Sequence, residues 1–124
     1  MLSKTDLKEI LYTSLAELGL TEQECDLYIV SLSIGPSTLA KLSLALGIPR
    51  PNIYRPIEGL ERHGLAQFSE RKKFARNFVV EPPTRVTELL KKKRESINVL
   101  DQKITGSMPD LLALYRQGNL PTNL

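Results

Sequence analysis

Apolar side chains in the first fifty residues recur at the spacing of an α-helix and predict three short helices. Residues with capping side chains precede each helix: Ser3 with Asp6, Thr21 with Glu24, and Ser37 or Thr38. Glycines follow the three helices at positions 19, 35 and 47. The side chains expected to face inward are Leu7, Ile10, Leu11, Leu15 and Leu18, then Cys25, Tyr28, Ile29 and Leu32, then Leu39, Leu42, Ala45 and Leu46.

The next segment, IPRPNIYRPIEGLERHGL (residues 48–65), has the apolar spacing of a helix although it contains three prolines and an internal glycine. Ile53, Ile57 and Leu60 form the apolar stripe. The polar side of the same turns contains Arg50, Asn52, Tyr54 and Arg55. Residues 38–63 are therefore predicted to form a short helix, a tight glycine turn and a longer helix, which is the helix-turn-helix arrangement.

The three prolines have different expected effects. Pro49 and Pro51 lie at the helix entrance, where an amide has no helical partner, so they stiffen the backbone that carries Arg50 and Asn52. Pro56 lies further along and would remove the bond to the Asn52 carbonyl, at a cost of about 3 kcal/mol. We therefore expect either a kink at Pro56 or a first turn that is offset from the rest of the helix.

After Gly64 the pattern changes to that of two short strands. LAQFSE (residues 65–70) and FARNFVV (residues 74–80) are rich in Phe and Val and flank a cationic tip. Pro82 and Pro83 end the second strand. We expect an antiparallel hairpin, so the fold class is mainly α with a small β-hairpin: a winged helix-turn-helix followed by a long carboxy-terminal, coiled-coil-like helix.

From Thr84 to about Thr105 the apolar positions approach a heptad repeat, with Lys93 standing where an apolar residue is expected. Gly106 is expected to break this helix, and Ser107 with Pro109 to restart it. A helix of this length usually finds a partner, although its apolar stripe could also pack on its own domain. The candidate dimerisation residues are Val86, Leu90, Ile97, Leu100, Ile104 and Leu111.

These elements predict three regions in a chain of 124 residues. Residues 1–82 form the winged helix-turn-helix domain, residues 83–118 a helical dimerisation arm, and residues 119–124 a disordered tail.

The net charge of +3 is unevenly distributed. Residues 1–49 contain three Lys/Arg against six Asp/Glu, residues 50–94 twelve against five, and residues 95–124 two against three. Residues 50–94 are therefore the part of the chain expected to bind a polyanion.

The remaining chemistry is sparse. Cys25 is expected to be a core thiol, and His63 to cap the helix before Gly64. The sequence has no nucleophile–base pair, paired carboxylates, phosphate-binding glycine loop or zinc spacing, so we expect neither an enzyme nor a bound cofactor or metal. It also lacks a secretory leader and an apolar run of membrane-spanning length, which favours a cytoplasmic, nucleoid-associated protein.

Three stretches, LGLTEQECDLYIVSLSIGPST, LGIPRPNIYRPIEGLERHGL and FVVEPPTRVTELL, resemble the amino-terminal domain of TrmB-type transcriptional regulators. The resemblance spans roughly Leu18 to Leu114, and Pro56 stands where the family usually has an ordinary helix former. It implies a prokaryotic DNA-binding repressor or activator that dimerises through the helix after the wing. Family members commonly continue into a sugar-binding effector domain, which would begin about where LYRQGNLPTNL ends this sequence.

The expected DNA-binding residues fall into three groups. Arg50, Asn52, Tyr54 and Arg55 would present base-edge and phosphate donors to the major groove, although Tyr54 could instead pack under the wing. Phosphate or minor-groove contacts are expected from Arg71, Lys72, Lys73 and Arg76 at the tip. Ser37 and Thr38 would offer a hydroxyl and a backbone N–H to phosphate.

The leading hypothesis is a homodimeric regulator of transcription that binds an inverted repeat in double-stranded DNA. The Lys91–Arg94 run is a solvated helix face or a contact to flanking DNA. The alternative function is a winged-helix module for protein–protein contacts in a transcription-related assembly, suggested by the effect expected of Pro56 on groove insertion. Any small-molecule effector is unknown.

Overall fold

The structure is a computed structural model that describes residues 1–68 and 78–120. Its elements in chain order are α1 (Lys4–Glu17), α2 (Glu22–Ile34), α3 (Leu39–Leu46), a 3₁₀ turn (Arg50–Asn52), α4 (Tyr54–Arg62), β1 (Ala66–Phe68), β2 (Phe78–Val80) and α5 (Thr84–Gly118). The chain divides into two compact units between Leu90 and Lys91. Mainly helical structure with one small hairpin and a long last helix confirms the fold class.

The helix starts follow the predicted caps. The Ser3 and Thr21 side chains each form a reciprocal capping box, with Asp6 and Glu24 respectively. The Thr38 hydroxyl accepts the Lys41 N–H at the start of α3. These side chains satisfy amides that have no partner within the helix, which is why each helix begins where it does.

Gly47 makes the turn between α3 and α4 possible, since its φ of 66° is a conformation that side chains with a Cβ rarely adopt. The helix-turn-helix arrangement is therefore present. His63 occupies the carboxy-terminal cap of α4, as predicted.

The hairpin is anchored to the helices on both sides. β1 and β2 pair antiparallel, with Gln67 opposite Val79, and Ser37 forms an additional antiparallel bridge with Phe78. The Tyr28 hydroxyl of α2 donates to the Glu81 carbonyl at 3.1 Å, just after β2. The base of the wing is thus fixed to α2 and to the segment between α2 and α3.

One apolar core joins α1 to α4 and the hairpin. Its buried apolar members are Leu15, Leu20, Cys25, Leu27, Tyr28, Leu39, Leu42, Ile53, Ile57, Leu60, Leu65, Ala66 and Phe78. The prediction was wrong for Leu7 and Ile10 of α1, which are 54% and 49% exposed, and for Leu32 and Ala45, which are also exposed. Helical periodicity identifies an apolar face but not how many of its turns reach the core.

The internal glycine of α4 lets α4 approach α2 closely. A Cβ built on Gly59 would lie 1.5 Å from Oε2 of Glu24. Glu24 is only 4% exposed, and its Oε1 accepts the Thr21 N–H at 2.8 Å. The carboxylate that caps α2 therefore occupies the space that a side chain at position 59 would fill.

Pro56 does not cause the destabilisation that was predicted for a proline in the interior of a helix. The backbone first forms the 3₁₀ turn Arg50–Asn52, and α4 begins only at Tyr54. Pro56 is thus the third residue of α4, where the amide has no partner within the helix, and the penalty for a mid-helix proline does not apply. The expected offset of the first turn is confirmed, and Pro56 itself is buried against the core.

The predicted break in the last helix was wrong. α5 is continuous from Thr84 to Gly118 and contains both Gly106 and Pro109. An interior glycine costs about 1 kcal/mol and an interior proline about 3 kcal/mol, and the good helix formers on both sides of the pair offset this locally. The predicted tail lies mostly outside the described residues.

We predict that Gly59→Ala destabilises the protein even though alanine is the better helix former. Displacing the Glu24 carboxylate breaks its hydrogen bond to the Thr21 N–H, and we expect a net loss of about 1–2 kcal/mol in the free energy of unfolding. Urea denaturation followed by circular dichroism measures it.

Gly106→Ala is the matched control, because a Cβ there meets nothing within 4 Å. This change should leave stability unchanged or raise it. In a Glu24→Ala background the penalty of Gly59→Ala should disappear. Equal effects of Gly59→Ala in both backgrounds would show that the close approach is not the cause.

We also predict that alkaline pH weakens the fold through Cys25. Burial, with smaller contributions from Asp26 and Glu24, raises the pKa of this thiol. The thiolate therefore forms more readily in the unfolded chain, and the stabilisation is lost as pH rises from about 8.5 through the folded pKa. Urea midpoints at pH 7 and pH 9.5 should differ less in Cys25→Ala than in the wild type. An identical pH dependence in both proteins would contradict this.

Candidate nucleic-acid interface

The outer face of α4 lies beside β1 and is rich in charged residues. Its inner face buries Pro56, Ile57, Gly59 and Leu60. One residue advances about 100° around a helix, so the remaining positions share the opposite face. These exposed residues are Tyr54, Arg55, Glu58, Glu61 and Arg62.

Arg50 and Asn52 lie just before this face, in the 3₁₀ turn, and both are exposed. The turn is fixed by backbone bonds from the Asn52 N–H to the Pro49 carbonyl (2.9 Å) and from the Ile53 N–H to the Arg50 carbonyl (3.3 Å). Ile53 is fully buried directly behind it. The two side chains therefore project from backbone that is held by prolines in front and by the core behind.

Arg55 lies on the edge of the outer face nearest the start of α2. It lines a cavity of about 360 Å³ with Gln23, Pro51 and Asn52. A second cavity, of about 370 Å³, is lined by Arg55, Pro56 and Arg62 together with residues 21–24. We refer to Arg55 and Arg62 as the arginine edge of α4.

Sequence reasoning missed Arg62. The available signal was its spacing of seven residues from Arg55, which places two positions of a helix on the same side.

Tyr54 lies on the opposite edge, towards the wing. Its ring packs edge-on against Phe68 of β1, with ring centroids 6.2 Å apart and an interplanar angle of 76°. Of the two expected roles, packing against the wing is therefore present, and the side chain remains partly exposed.

The expectation for Ser37 was wrong. The residue is fully buried, its hydroxyl donates to the Gly35 carbonyl at 2.8 Å, and its backbone N–H donates to the Phe78 carbonyl. Both groups offered to phosphate are thus used inside the fold. Thr38 is exposed at the start of α3 and stays available.

The cationic residues expected at the wing tip, Arg71, Lys72, Lys73 and Arg76, lie outside the described residues.

Val86 was also misassigned, because it is half-buried against the core of its own domain and does not belong to a free seam. Other seam residues are exposed on α5: Leu90, Ile97, Leu100, Ile104 and Leu111. Residues Lys91–Arg94 are exposed as well.

Within residues 1–68 and 78–120, no cluster of His, Cys, Asp and Glu has the geometry of a metal site. None of the helices described there has the length and apolar character needed to cross a membrane.

A helix-turn-helix whose second helix presents charged residues beside a β-hairpin defines the winged helix-turn-helix class. The family model "Sugar-specific transcriptional regulator TrmB" matches residues 15–92, which is more than half of the chain. The protein therefore belongs to the TrmB family of transcriptional regulators, as its sequence motifs suggested. No curated protein matches the sequence significantly.

A solved structure supports the fold. The structure of TrmBL2, an archaeal chromatin protein described as showing a novel mode of DNA binding, superposes with a TM-score of 0.73 at 21% identity. The match covers 93% of this chain but 44% of TrmBL2, so the chain spans less than half the length of that relative. A MarR family transcription regulator matches at 20% identity, with a TM-score of 0.44, over 90% of this chain and 80% of the other.

Proposed function

We propose that the protein is a sequence-specific regulator of transcription that binds double-stranded DNA as a homodimer. The observation that carries the proposal is the joint exposure of Arg50, Asn52 and Arg55 along the entrance and first turn of α4. Family membership supports the same function. A regulator of this kind acts in the cytoplasm, at the nucleoid.

The proposed docking places α4 in the major groove, which is wide enough for one helix. Arg50 and Asn52 then reach base edges, because guanine offers O6 and N7 to arginine and adenine offers N6 and N7 to asparagine. The arginine edge faces a phosphate strand, since cations on the side of a recognition helix meet the groove wall. Thr38 and the wing residues Arg71, Lys72, Lys73 and Arg76 are assigned to phosphate or minor-groove contacts.

The main argument for the alternative function, a protein–protein interaction module, no longer applies. It was suggested by a kink at Pro56 that would spoil groove insertion. Pro56 is instead buried in the first turn of α4, and the turns that follow form a regular helix. The charged outer face of α4 is therefore presented on an undistorted helix.

The homodimer is proposed from α5. Leu90, Ile97, Ile104 and Leu111 recur every seven residues, and Leu100 and Leu114 take the intermediate positions. Because α5 is continuous, the face that contains these residues continues past Gly106 on the same helix. An apolar stripe this long and this exposed is stabilised by a second copy of the same helix.

We predict that duplex binding falls steeply with salt and that single cations set the slope. Arg62→Ala or Lys72→Ala should each reduce the slope of log K against log salt by about one, because each removes about one released counterion. Fluorescence anisotropy of labelled duplex between about 50 and 200 mM salt measures the slope.

Lys8→Ala is the control, since Lys8 is an exposed cation on α1 away from α4. It should leave the slope unchanged. Absence of duplex binding at the lowest salt would refute the proposed function and favour the protein–protein module.

We predict that Leu100→Asp converts a dimer into a monomer, because it places a carboxylate within the apolar seam. Val99→Asp is the matched control: Val99 is as exposed as Leu100 (51% against 55%) but lies off the heptad seam. Light scattering after size exclusion should give the monomer mass for Leu100→Asp alone. One common mass for wild type and both variants would remove the dimer from the proposal.

A dimer presents two α4 helices. Its preferred site is therefore expected to be an inverted repeat whose half-sites lie about one helical turn apart, or a multiple of that.

A further inference from the structure

Glu58 occupies the most outward position on α4. On one side of it, Arg55 and Arg62 line a shared cavity with the first residues of α2. On the other side, Tyr54 packs against Phe68 of the wing. Glu58 is exposed and lies three or four residues from Arg55, Tyr54 and Arg62, so it stands between the two edges.

The buried face of α4 also identifies Glu58 as the most outward residue of this helix. Ile57 and Leu60 point into the core, and an advance of about 100° per residue puts Glu58 nearly opposite the centre of the buried set. Glu61 is about 60° away from this centre line, towards the wing. Glu58 is thus the α4 side chain that would enter a groove most deeply.

A carboxylate at this position has a restricted set of partners. It repels phosphates, so it contributes nothing to sequence-independent affinity. It only accepts hydrogen bonds, whereas guanine and adenine both present the acceptor N7 in the major groove. Cytosine presents the N4 amino group alone and is the base whose major-groove edge suits a carboxylate.

We propose that Glu58 is a specificity-determining residue that accepts a hydrogen bond from the N4 amino group of a cytosine. The inference rests on the proposed function and deepens it by naming one base in the site. In this arrangement the arginine edge holds the phosphate strand while Glu58 rejects duplexes that lack the cytosine.

The ordinary role for such a residue is a surface ion pair with Arg62, four residues on. Among the described residues, the ion pairs with N–O distances within 4.0 Å join Arg85 to Glu81 and to Glu88. An ion pair to Arg62 would place Glu58 on the arginine edge and give it no effect on base preference, so base preference separates the two roles.

The test begins by selecting duplexes from a random pool with the wild-type chain. Each base pair of the selected site is then changed in turn, and dissociation constants are measured for wild type, Glu58→Ala, Glu58→Gln and Glu61→Ala. Glu61→Ala is the matched control, because it removes the same charge from an exposed position on the same helix. Both substituted positions, Glu58 and Glu61, are exposed, so the circular dichroism of the three variants should match that of the wild type.

We expect the wild type to prefer cytosine at one position of each half-site by about 5- to 150-fold. Glu58→Ala should reduce this preference to less than about twofold and tighten binding to unrelated duplex, because the repulsion of phosphates is gone. Glu58→Gln should transfer the preference to adenine, which glutamine recognises at N6 and N7. Glu61→Ala should keep the cytosine preference.

Two results would overturn the inference without refuting the proposed function. One is a base preference that is the same in wild type and Glu58→Ala at every position. The other is that the wild type binds duplex DNA with no base preference at any position. This result would refute the role of Glu58 but not DNA binding. A wild type that binds no duplex at low salt would refute the proposed function itself and this inference with it.

Discussion

The contact between the Glu24 carboxylate and the bare Cα of Gly59 determines how α4 lies on α2. The carboxylate is buried and already engaged in capping α2, so burial without that hydrogen bond would be costly. Only a residue without a side chain can lie against it. This close approach restricts the rotation of α4 together with the buried Ile57 and Leu60, and that rotation decides which charged residues form the outer face.

The three prolines of residues 48–65 also restrict the position of α4, because they determine where this helix begins. Pro49 is extended, and Pro51 lies within the 3₁₀ turn that follows it, so α4 begins only at Tyr54. Pro56 then falls in the first turn and fills a place in the core. The helix-breaking residues therefore define where the helix begins, and the Arg50 and Asn52 side chains project from a segment with little conformational freedom to lose on binding.

Local signals predicted most of the fold. The capping pairs, the turn at Gly47 and the change of period at the hairpin are each encoded within a few neighbouring residues. Contacts between distant segments were not predictable in this way. The bridge from Ser37 to Phe78 buries a hydroxyl that looked available, Val86 packs on its own domain, and the amino-terminal half of α1 stays exposed. The seven-residue spacing of Arg55 and Arg62 was present in the sequence, but the burial of Pro56 and Gly59, which centres the outer face of α4 on Glu58, was not predictable from it.

The two helix-breaking residues of α5 lie away from its apolar stripe. In a heptad that begins at Leu90, Gly106 and Pro109 take the third and sixth positions, on the side opposite the apolar seam. A missing hydrogen bond or an absent side chain there does not remove any seam contact. Lys93 and Ser107, by contrast, lie within the seam. In the proposed dimer these polar positions are stabilised only in registers that give them polar neighbours or solvent, and they thereby restrict how two copies align at a cost in stability.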